Sequence, residues 1–362
     1  MQEVKRIGVL TGGGDCPGLN AAIRAVVMRA SDYGYEVYAI ENGWAGAIED
    51  QIRPLPIEEV EYIIGQGGTI IHTSRTNPYS ERRLKEGAPQ RVYENVKKHG
   101  IDAIVAIGGD DTQSVAARLS AGEGIPEPIP CVGVPKTMDN DVWGTDWCFG
   151  FDSAVTVAVD AAERLRDTAR SHHRVMVLEV MGRKAGWVAL FTALGAGADW
   201  VLVPEESPAP IEQMCEELKK EKERGKKFGL VIVSEGIEHP ELDEWKRRLK
   251  DVVGGWEDEF GHVRLSVAVG EWVANVIERE TGFETRAVTL GHVQRGGAPT
   301  MFDRLLASRL GVKAVDLIHE GRFGEMAAVK GAEITSVPLS EVIGKTKTVP
   351  KEWIEFARIF FK

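Results

Sequence analysis

Short apolar runs alternate with stretches of helical period from the first residues onward. Ile7-Gly8-Val9-Leu10 reads as a strand, and "LNAAIRAVVMRASDY", residues 19–33, repeats its apolar positions at helical spacing. Glu36 to Ile40 is the next strand. "RVYENVKKHG" closes a helix with Gly100 as its C-terminal cap, and Ala103 to Ile107 is apolar again. Cys131 to Val134, Val175 to Val180, Trp200 to Val203 and Phe228 to Ser234 read as buried strands, and "AVTVAVDAAERLRDTA" as a long helix. This alternation predicts an α/β protein with largely parallel sheets. One segment breaks the rhythm: residues 238–265, "EHPELDEWKRRLKDVVGGWEDEFGHVRL", are highly charged and predict a surface excursion with a short helix. "LSVAVGEWVANVIERETG" then resumes as a helix.

A length of 362 residues leaves room for two domains. No apolar run reaches the roughly 18 residues that span a bilayer, and "MQEVKR" leads straight into a strand, so neither a membrane span nor a signal peptide is expected. Cys16, Cys131, Cys148 and Cys215 form no CxxC pair, which fits a reduced, cytoplasmic compartment. The net charge of -11 argues against nucleic acid and anionic membranes as partners. It leaves small anionic ligands open, because a local arginine cluster overrides the global sign.

Four stretches carry candidate chemistry, most of it beyond the ends of strands, where α/β ligand sites lie. "LTGGGDCPGLNAAIR" runs from a strand through three glycines into a helix, a setting for phosphate held by backbone N–H groups and a helix N-terminus, or a plain structural turn. "GGDDT" follows Ile107; Asp110 is placed to hold a hydrated Mg²⁺, and Asp111 or Thr112 to cap a helix. "VPKTMDNDVWGTDWCFGFDSA" sets Lys136, Thr137, Asp139 and Asp141 after a strand; in an extended loop the two aspartates point different ways. Finally, Arg174 and Arg286 precede strands, while Met181-Gly182-Arg183, His292 and Arg295 follow them. Cations beside glycines suit a phosphate ester. Together the four point to phosphoryl transfer.

At these residues the chain resembles the 6-phosphofructokinases, from "GVLTGGGDCPGLNAAIR" through "RDTARSHHRVMVLEVMGRKAG" to "LGHVQRGGAPTMFDRLLASRLG". The resemblance implies two Rossmann-like α/β/α sandwich domains with the active site in the cleft between them. Residues 1–150 plus 294–344 would form the donor domain, and 151–293 plus 345–362 the fructose 6-phosphate domain. Asp139 would be the base, assisted by Thr137 and Asp141. Gly13, Arg75, Asp111, Thr112 and Lys136 would surround the donor, and Asp110 the Mg²⁺ cofactor. Arg183, beside Met181 and Gly182, would hold the transferring group and sugar, and Glu235 the sugar hydroxyls. Arg174, Arg286, His292 and Arg295 would bind the 6-phosphate, Arg174 and Arg286 reaching in from a neighbouring subunit. A homo-oligomer, dimer or tetramer, with shared active sites is therefore expected.

Two departures from the ATP-dependent pattern single out the donor. Asp111 and Lys136 stand where ATP-dependent members typically have glycine. A carboxylate at 111 would repel an α-phosphate by about 4 kcal/mol at 4 Å and an effective dielectric near 20. A lysine at 136 would neutralise a compact donor. This pair is the pattern of pyrophosphate-dependent members, as is a long insert containing "DEFGHVRLS". The expected partners are thus fructose 6-phosphate and pyrophosphate, with ATP the alternative donor and a non-catalytic sugar-phosphate sensor the alternative class. A nicotinamide-binding dehydrogenase lacks its GxGxxG. In the family's effector pocket Arg24, Arg166, Arg224 and Lys226 match, while Met28 and Gln51 replace two arginines.

Overall fold

The run Ala103–Gly108 is buried at every position, as are Val175–Val180 and Gly229–Ser234. Continuous apolar burial over six residues is the mark of parallel strands covered on both faces. The computed structural model describes residues 4–253, 256–257, 263–264 and 269–361. In chain order its strands are β1 (Arg6–Thr11), β2 (Glu36–Ile40), β3 (Ile52–Pro54), β4 (Ala103–Gly108), β5 (Cys131–Pro135), β6 (Val175–Val180) and β7 (Trp200–Leu202). They continue as β8 (Gly229–Ser234), β9 (Trp256–Glu257), β10 (Val263–Arg264), β11 (Thr285–Thr289), β12 (Glu325–Lys330) and β13 (Glu333–Pro338).

The described residues divide into two units, one mainly from 1–153 and 295–346, the other mainly from 154–256, 263–294 and 347–361. The first holds a seven-stranded sheet in the order β13-β12-β5-β4-β1-β2-β3. Its interior pairs are parallel, and its edges, β3 on β2 and β13 on β12, are antiparallel. From β1 the chain moves outward to β2, whereas from β4 it moves the other way to β5, so the order reverses between β1 and β4. Ligands in open α/β sheets sit beyond the carboxyl ends of strands at such a switch point. Helix Leu19–Asp32 buries Leu19, Ile23, Val26 and Val27 and packs on helix Met301–His319. A core of Leu10, Ile40, Trp44, Ile104, Val115 and Leu119 fixes the strands that carry the loops.

The second unit holds the four-stranded sheet β11-β6-β8-β7, parallel throughout. Helix Pro240–Val253, at 14 residues, is longer than the short excursion helix the sequence predicts. The helix expected from residue 265 spans Val269–Thr281; its first positions and most of "DEFGHVRLS" lie outside the described residues. All four cysteines are buried and free. Among the described residues no helix is long and apolar enough to cross a membrane.

Candidate active site

Three loops leave the carboxyl ends of β1, β4 and β5, which are neighbours in the sheet. The first is the glycine loop. The sequence reading gave its glycines the task of exposing N–H groups, and the structure corrects this at two positions. Gly12 donates to the Ile107 carbonyl and Gly13 to the Ser74 carbonyl, both at 2.9 Å. The glycines instead make room for side chains. A Cβ on Gly12 would strike the Thr112 hydroxyl, and one on Gly14 would strike the Arg295 guanidinium. A Cβ on Gly13, whose φ is +81°, would lie 3.4 Å from the Lys136 ammonium. Gly12 and Gly14 thus admit side chains from distant parts of the chain, and Gly13 is required by its positive φ, with the Lys136 ammonium at ordinary contact distance.

The loop after β4 enters helix Asp110–Ser120, with Gly109 as its cap, so both aspartates lie in the first turn. Neither Asp111 nor Thr112 is the cap residue. Burial pushes the Asp110 carboxyl up to about 6, and the charges of Asp111 and Asp141 push the same way, against a backbone hydrogen bond from Gly344. Its Oδ1 is buried without a hydrogen-bond partner. Such an atom among like charges is suited to a hard cation with oxygen ligands. No group of three or more metal-ligating side chains occurs among the described residues, so Mg²⁺ would complete its shell with water and phosphate oxygens. Asp111 is half-buried and Thr112 buried. Gln113, which the sequence reading passed over, is fully buried, and its Nε2 donates to the Ala106, Gly108 and Val134 carbonyls at 3.2, 3.0 and 3.1 Å. It ties the ends of β4 and β5 together.

After β5, Lys136 is buried, and its Nζ donates to the Gly14 carbonyl. Burial lowers its pKa, the Arg295 guanidinium adds to this, and Asp139 and Asp15 oppose it. Asp139 is buried and Asp141 half-buried. The Asp139 N–H donates to the Thr137 hydroxyl at 3.1 Å. The loop is not simply extended, because Asn140 between the aspartates has a φ of 52°. Asn140 is held there by its amide, which accepts from the Cys148 N–H at 3.0 Å and donates to the Asp146 carbonyl at 3.4 Å. Asparagine tolerates this left-handed conformation better than most residues, so Asn140 is the signal the motif contained. Arg75 stands exposed on the segment that pairs with the glycine loop through Ser74.

In the second unit, Met181-Gly182-Arg183 follows β6 and Glu235 follows β8. Glu235 Oε1 accepts the N–H groups of Gly182 and Arg183 at 3.3 and 3.2 Å. It thereby holds Arg183 at a φ of 49°, a conformation that costs a non-glycine residue energy. Gln294, unread in the sequence, accepts the Met181 N–H at 2.9 Å and is fully buried. Glu179 supports the same end of the sheet: its Oε2 accepts the Gly270 N–H at 2.6 Å, and burial raises its pKa. His292 is exposed in the short turn Gly291–Arg295.

Arg174 and Arg286 lie at the other end of this sheet. Arg174 directly precedes β6; Arg286 is the second residue of β11 rather than a residue before it, and pairs in register with Met176. Both bond Glu284, at 3.1 and 2.8 Å. The length of β6, roughly 17 Å at a rise near 3.3 Å per residue, separates them from Met181–Arg183. Arg295 reaches the glycine loop of its own unit, donating to the Asp15 carbonyl at 3.4 Å. Of the expected effector cations, Arg24 bonds the Glu61 carbonyl, Arg166 the Gly197 carbonyl, Arg224 Glu221 and Lys226 Asp199.

A parallel sheet that gathers carboxylates and a buried lysine around a glycine loop at its switch point has the architecture of an α/β phosphoryl-transfer protein. The chain belongs to the phosphofructokinase family, whose pattern it matches over residues 6–318. It is 48% identical over 356 residues to the pyrophosphate–fructose 6-phosphate 1-phosphotransferase of Dictyoglomus thermophilum, covering 98% of each chain. It is 47% identical to ATP-dependent 6-phosphofructokinase 2 of Streptomyces coelicolor, covering 98% of this chain and 100% of that one. The crystal structure of Pichia pastoris phosphofructokinase in the T-state is similar with a TM-score of 0.80 at 31% identity. That match covers 94% of this chain and 36% of the longer yeast chain.

Proposed function

We propose that this chain transfers a phosphoryl group from pyrophosphate to the 1-hydroxyl of fructose 6-phosphate, giving fructose 1,6-bisphosphate and phosphate. The observation that carries the donor assignment is the pair at 111 and 136. Asp111 occupies the first turn of a helix that would otherwise offer a nucleotide phosphate a positive N-terminus. Lys136 brings an ammonium to Gly13, where a compact dianionic group can meet it. Relatives of nearly equal identity carry names with either donor, so overall similarity is a weaker guide than these two side chains.

In the reaction, the sugar O1 forms a bond to the transferred phosphorus as the phosphoanhydride P–O bond breaks. The hydroxyl proton goes to Asp139, which the Thr137 hydroxyl orients through the Asp139 N–H. Lys136 and Arg183 stabilise charge on the moving group. Mg²⁺, held through Asp110, would supply neutralisation of the donor phosphates. Gly13, Arg75 and Thr112 shape the donor side, and Glu235 sets the turn that presents Arg183 to the sugar. Arg174 and Arg286 complete a 6-phosphate site only from a second copy of the chain, which makes the working enzyme a homo-oligomer of a cytoplasmic kind. Because one phosphoanhydride supplies what one ester keeps, the reaction is expected to run in both directions.

The test is fructose 1,6-bisphosphate formation by the purified protein with Mg²⁺ and either pyrophosphate or ATP. Turnover with pyrophosphate well above that with ATP is the expected result. Preference for ATP would replace the donor while leaving the acceptor chemistry in place.

A further inference from the structure

Helix Leu339–Val342 buries Leu339 and Val342 in the core of the first unit, packed on helix Asp110–Ser120. It thereby anchors the segment that follows beside the loops after β4 and β5. Gly344, at a φ of +73° in the left-handed region that favours glycine, turns the chain so that its N–H bonds the Asp110 carboxyl. Two residues on, Thr346 pairs antiparallel with Val142. One residue out from that pair, Lys345 falls opposite Trp143, and its ammonium lies 5.6 Å from the centre of the Trp143 ring. Side chains alternate along an extended segment, so Asp141 shares the face of Trp143 and is the diagonal neighbour of Lys345, within reach of a long side chain. Asp110, Asp111 and Asp141 are close enough to act on one another at this spot. Lys345 is exposed and forms no ion pair among the described residues; its ammonium rests on the ring of Trp143, itself 44% exposed. A cation–π contact at an exposed ring is a weak hold. A lysine tethered through its backbone to Asp110, yet paired with none of the neighbouring carboxylates, is placed for an anion that arrives from solvent.

The geometry points to Lys345 as a further donor-binding residue: its ammonium leaves the Trp143 ring for the outer phosphate of pyrophosphate, the one that becomes the free phosphate product. This rests on the phosphoryl-transfer reading above. Lys136 meets the donor from the glycine loop and Lys345 from the strap Gly344–Thr346, so cations face the donor from two sides of a place crowded with carboxylates. As the bond between the two phosphates breaks, its electron pair stays on the leaving oxygen, and Lys345 stabilises the charge that develops there. A compact charge on a flexible stem suits a group that must change partners in each turnover.

The test uses Lys345→Met, Lys345→Arg and Trp143→Leu in the full chain. Affinity for Mg²⁺-pyrophosphate is measured by calorimetry without sugar, and KM is measured for each substrate with the other saturating. Lys345→Met should weaken pyrophosphate binding and raise the donor KM by about fivefold to tenfold, while the fructose 6-phosphate KM stays within about twofold. Its Tm should match that of the wild type, because the contact removed is exposed. Lys345→Arg, which keeps the charge, should hold donor affinity within about threefold. Trp143→Leu should leave donor affinity unchanged or raise it, because the ammonium loses its competing resting place. Unchanged donor affinity in Lys345→Met would overturn the assignment. An equal loss in Trp143→Leu would also overturn it, since the pair would then brace the strap and bind no donor. If the wild type proves to bind ATP in place of pyrophosphate, the same calorimetry with Mg²⁺-ATP decides the role of Lys345 separately from the identity of the donor.

Discussion

The groups proposed to hold the donor and those proposed to hold the acceptor are built in opposite ways. The donor side is crowded into one corner of one unit: three loops from adjacent strand ends bring Thr112 and Lys136 onto consecutive glycines, and Asp110, Asp111 and Asp141 onto one another. Its groups are held under electrostatic tension, with a carboxyl pushed up to about 6 and a lysine pushed down by burial. The acceptor side is divided between the two ends of a four-stranded sheet, with its outer arginines neutralised on Glu284. On the proposed reading the donor groups belong to one unit of one chain, whereas Arg174 and Arg286 lie at the opposite end of β6 from Met181–Arg183. Perturbed pKa values cluster at functional sites, which is the ground for proposing the donor site in the first of these regions.

The largest effect expected from this contrast is at Asp139. Asp139→Ser should lower kcat by about 10²–10⁴ while calorimetry finds both substrates bound with nearly normal affinity. Near wild-type kcat in that variant would remove Asp139 as the base. Next comes Arg174→Ala, which should raise the fructose 6-phosphate KM by about tenfold or more and leave pyrophosphate binding intact. Co-assembled with Asp139→Ser chains it should regain activity above the sum of the two variants, since a mixed oligomer contains some intact sites. Additive activity at every mixing ratio would mean that each chain works alone.

A smaller effect is expected in the pH dependence of Mg²⁺ binding. The folded Asp110 carboxyl titrates at about 6 instead of the ordinary 3.8. With a raised folded pKa, its contribution to stability is present below the unfolded value and is lost as pH rises through about 6. Cation binding needs the carboxylate, so the Tm gain on adding Mg²⁺ should grow from pH 5 to pH 7.5 and be flat in Asp110→Asn. An equal gain at both pH values in the wild type would count against Asp110 as the ligand. Smallest of all, ADP and phosphoenolpyruvate at millimolar levels should shift half-saturation by fructose 6-phosphate less than about twofold, since Met28 and Gln51 offer no charge-assisted bonds. A large shift with either compound would show that the remaining cations suffice.

Most of the sheet interior was legible in the sequence. β2 and β6 fall where their apolar runs predict, and β1, β4, β5, β7 and β8 lie within a residue or two. Strands buried on both faces must be continuously apolar, so their signal is strong. The edges were not legible: β3 and β13 carry Arg53 and Glu333, because an edge strand needs little apolar surface, and the neighbouring β12 is bounded by Glu325 and Lys330. The site residues were legible as motifs at strand ends, but their contacts were not. Glycines that expose N–H groups and glycines that admit neighbours read alike; here Thr112, Lys136 and Arg295 are distant in sequence, and only the fold brings them to Gly12, Gly13 and Gly14. Gln113 and Gln294 escaped notice because a buried amide that braces backbone has no spacing rule to betray it.

The central claim is that two side chains, Asp111 and Lys136, turn this family's site toward pyrophosphate. The direct measurement is kcat/KM for pyrophosphate and for ATP at saturating fructose 6-phosphate and fixed free Mg²⁺, in the wild type, Asp111→Gly, Lys136→Gly and the double variant. The wild type should strongly favour pyrophosphate. Asp111→Gly should shift the ratio toward ATP by relieving repulsion at the α-phosphate, and Lys136→Gly should damage pyrophosphate use without creating good ATP use. The double variant should gain most for ATP, non-additively, because both groups act on one donor. A wild type that prefers ATP, or a donor ratio that Asp111→Gly leaves unchanged, would contradict the account.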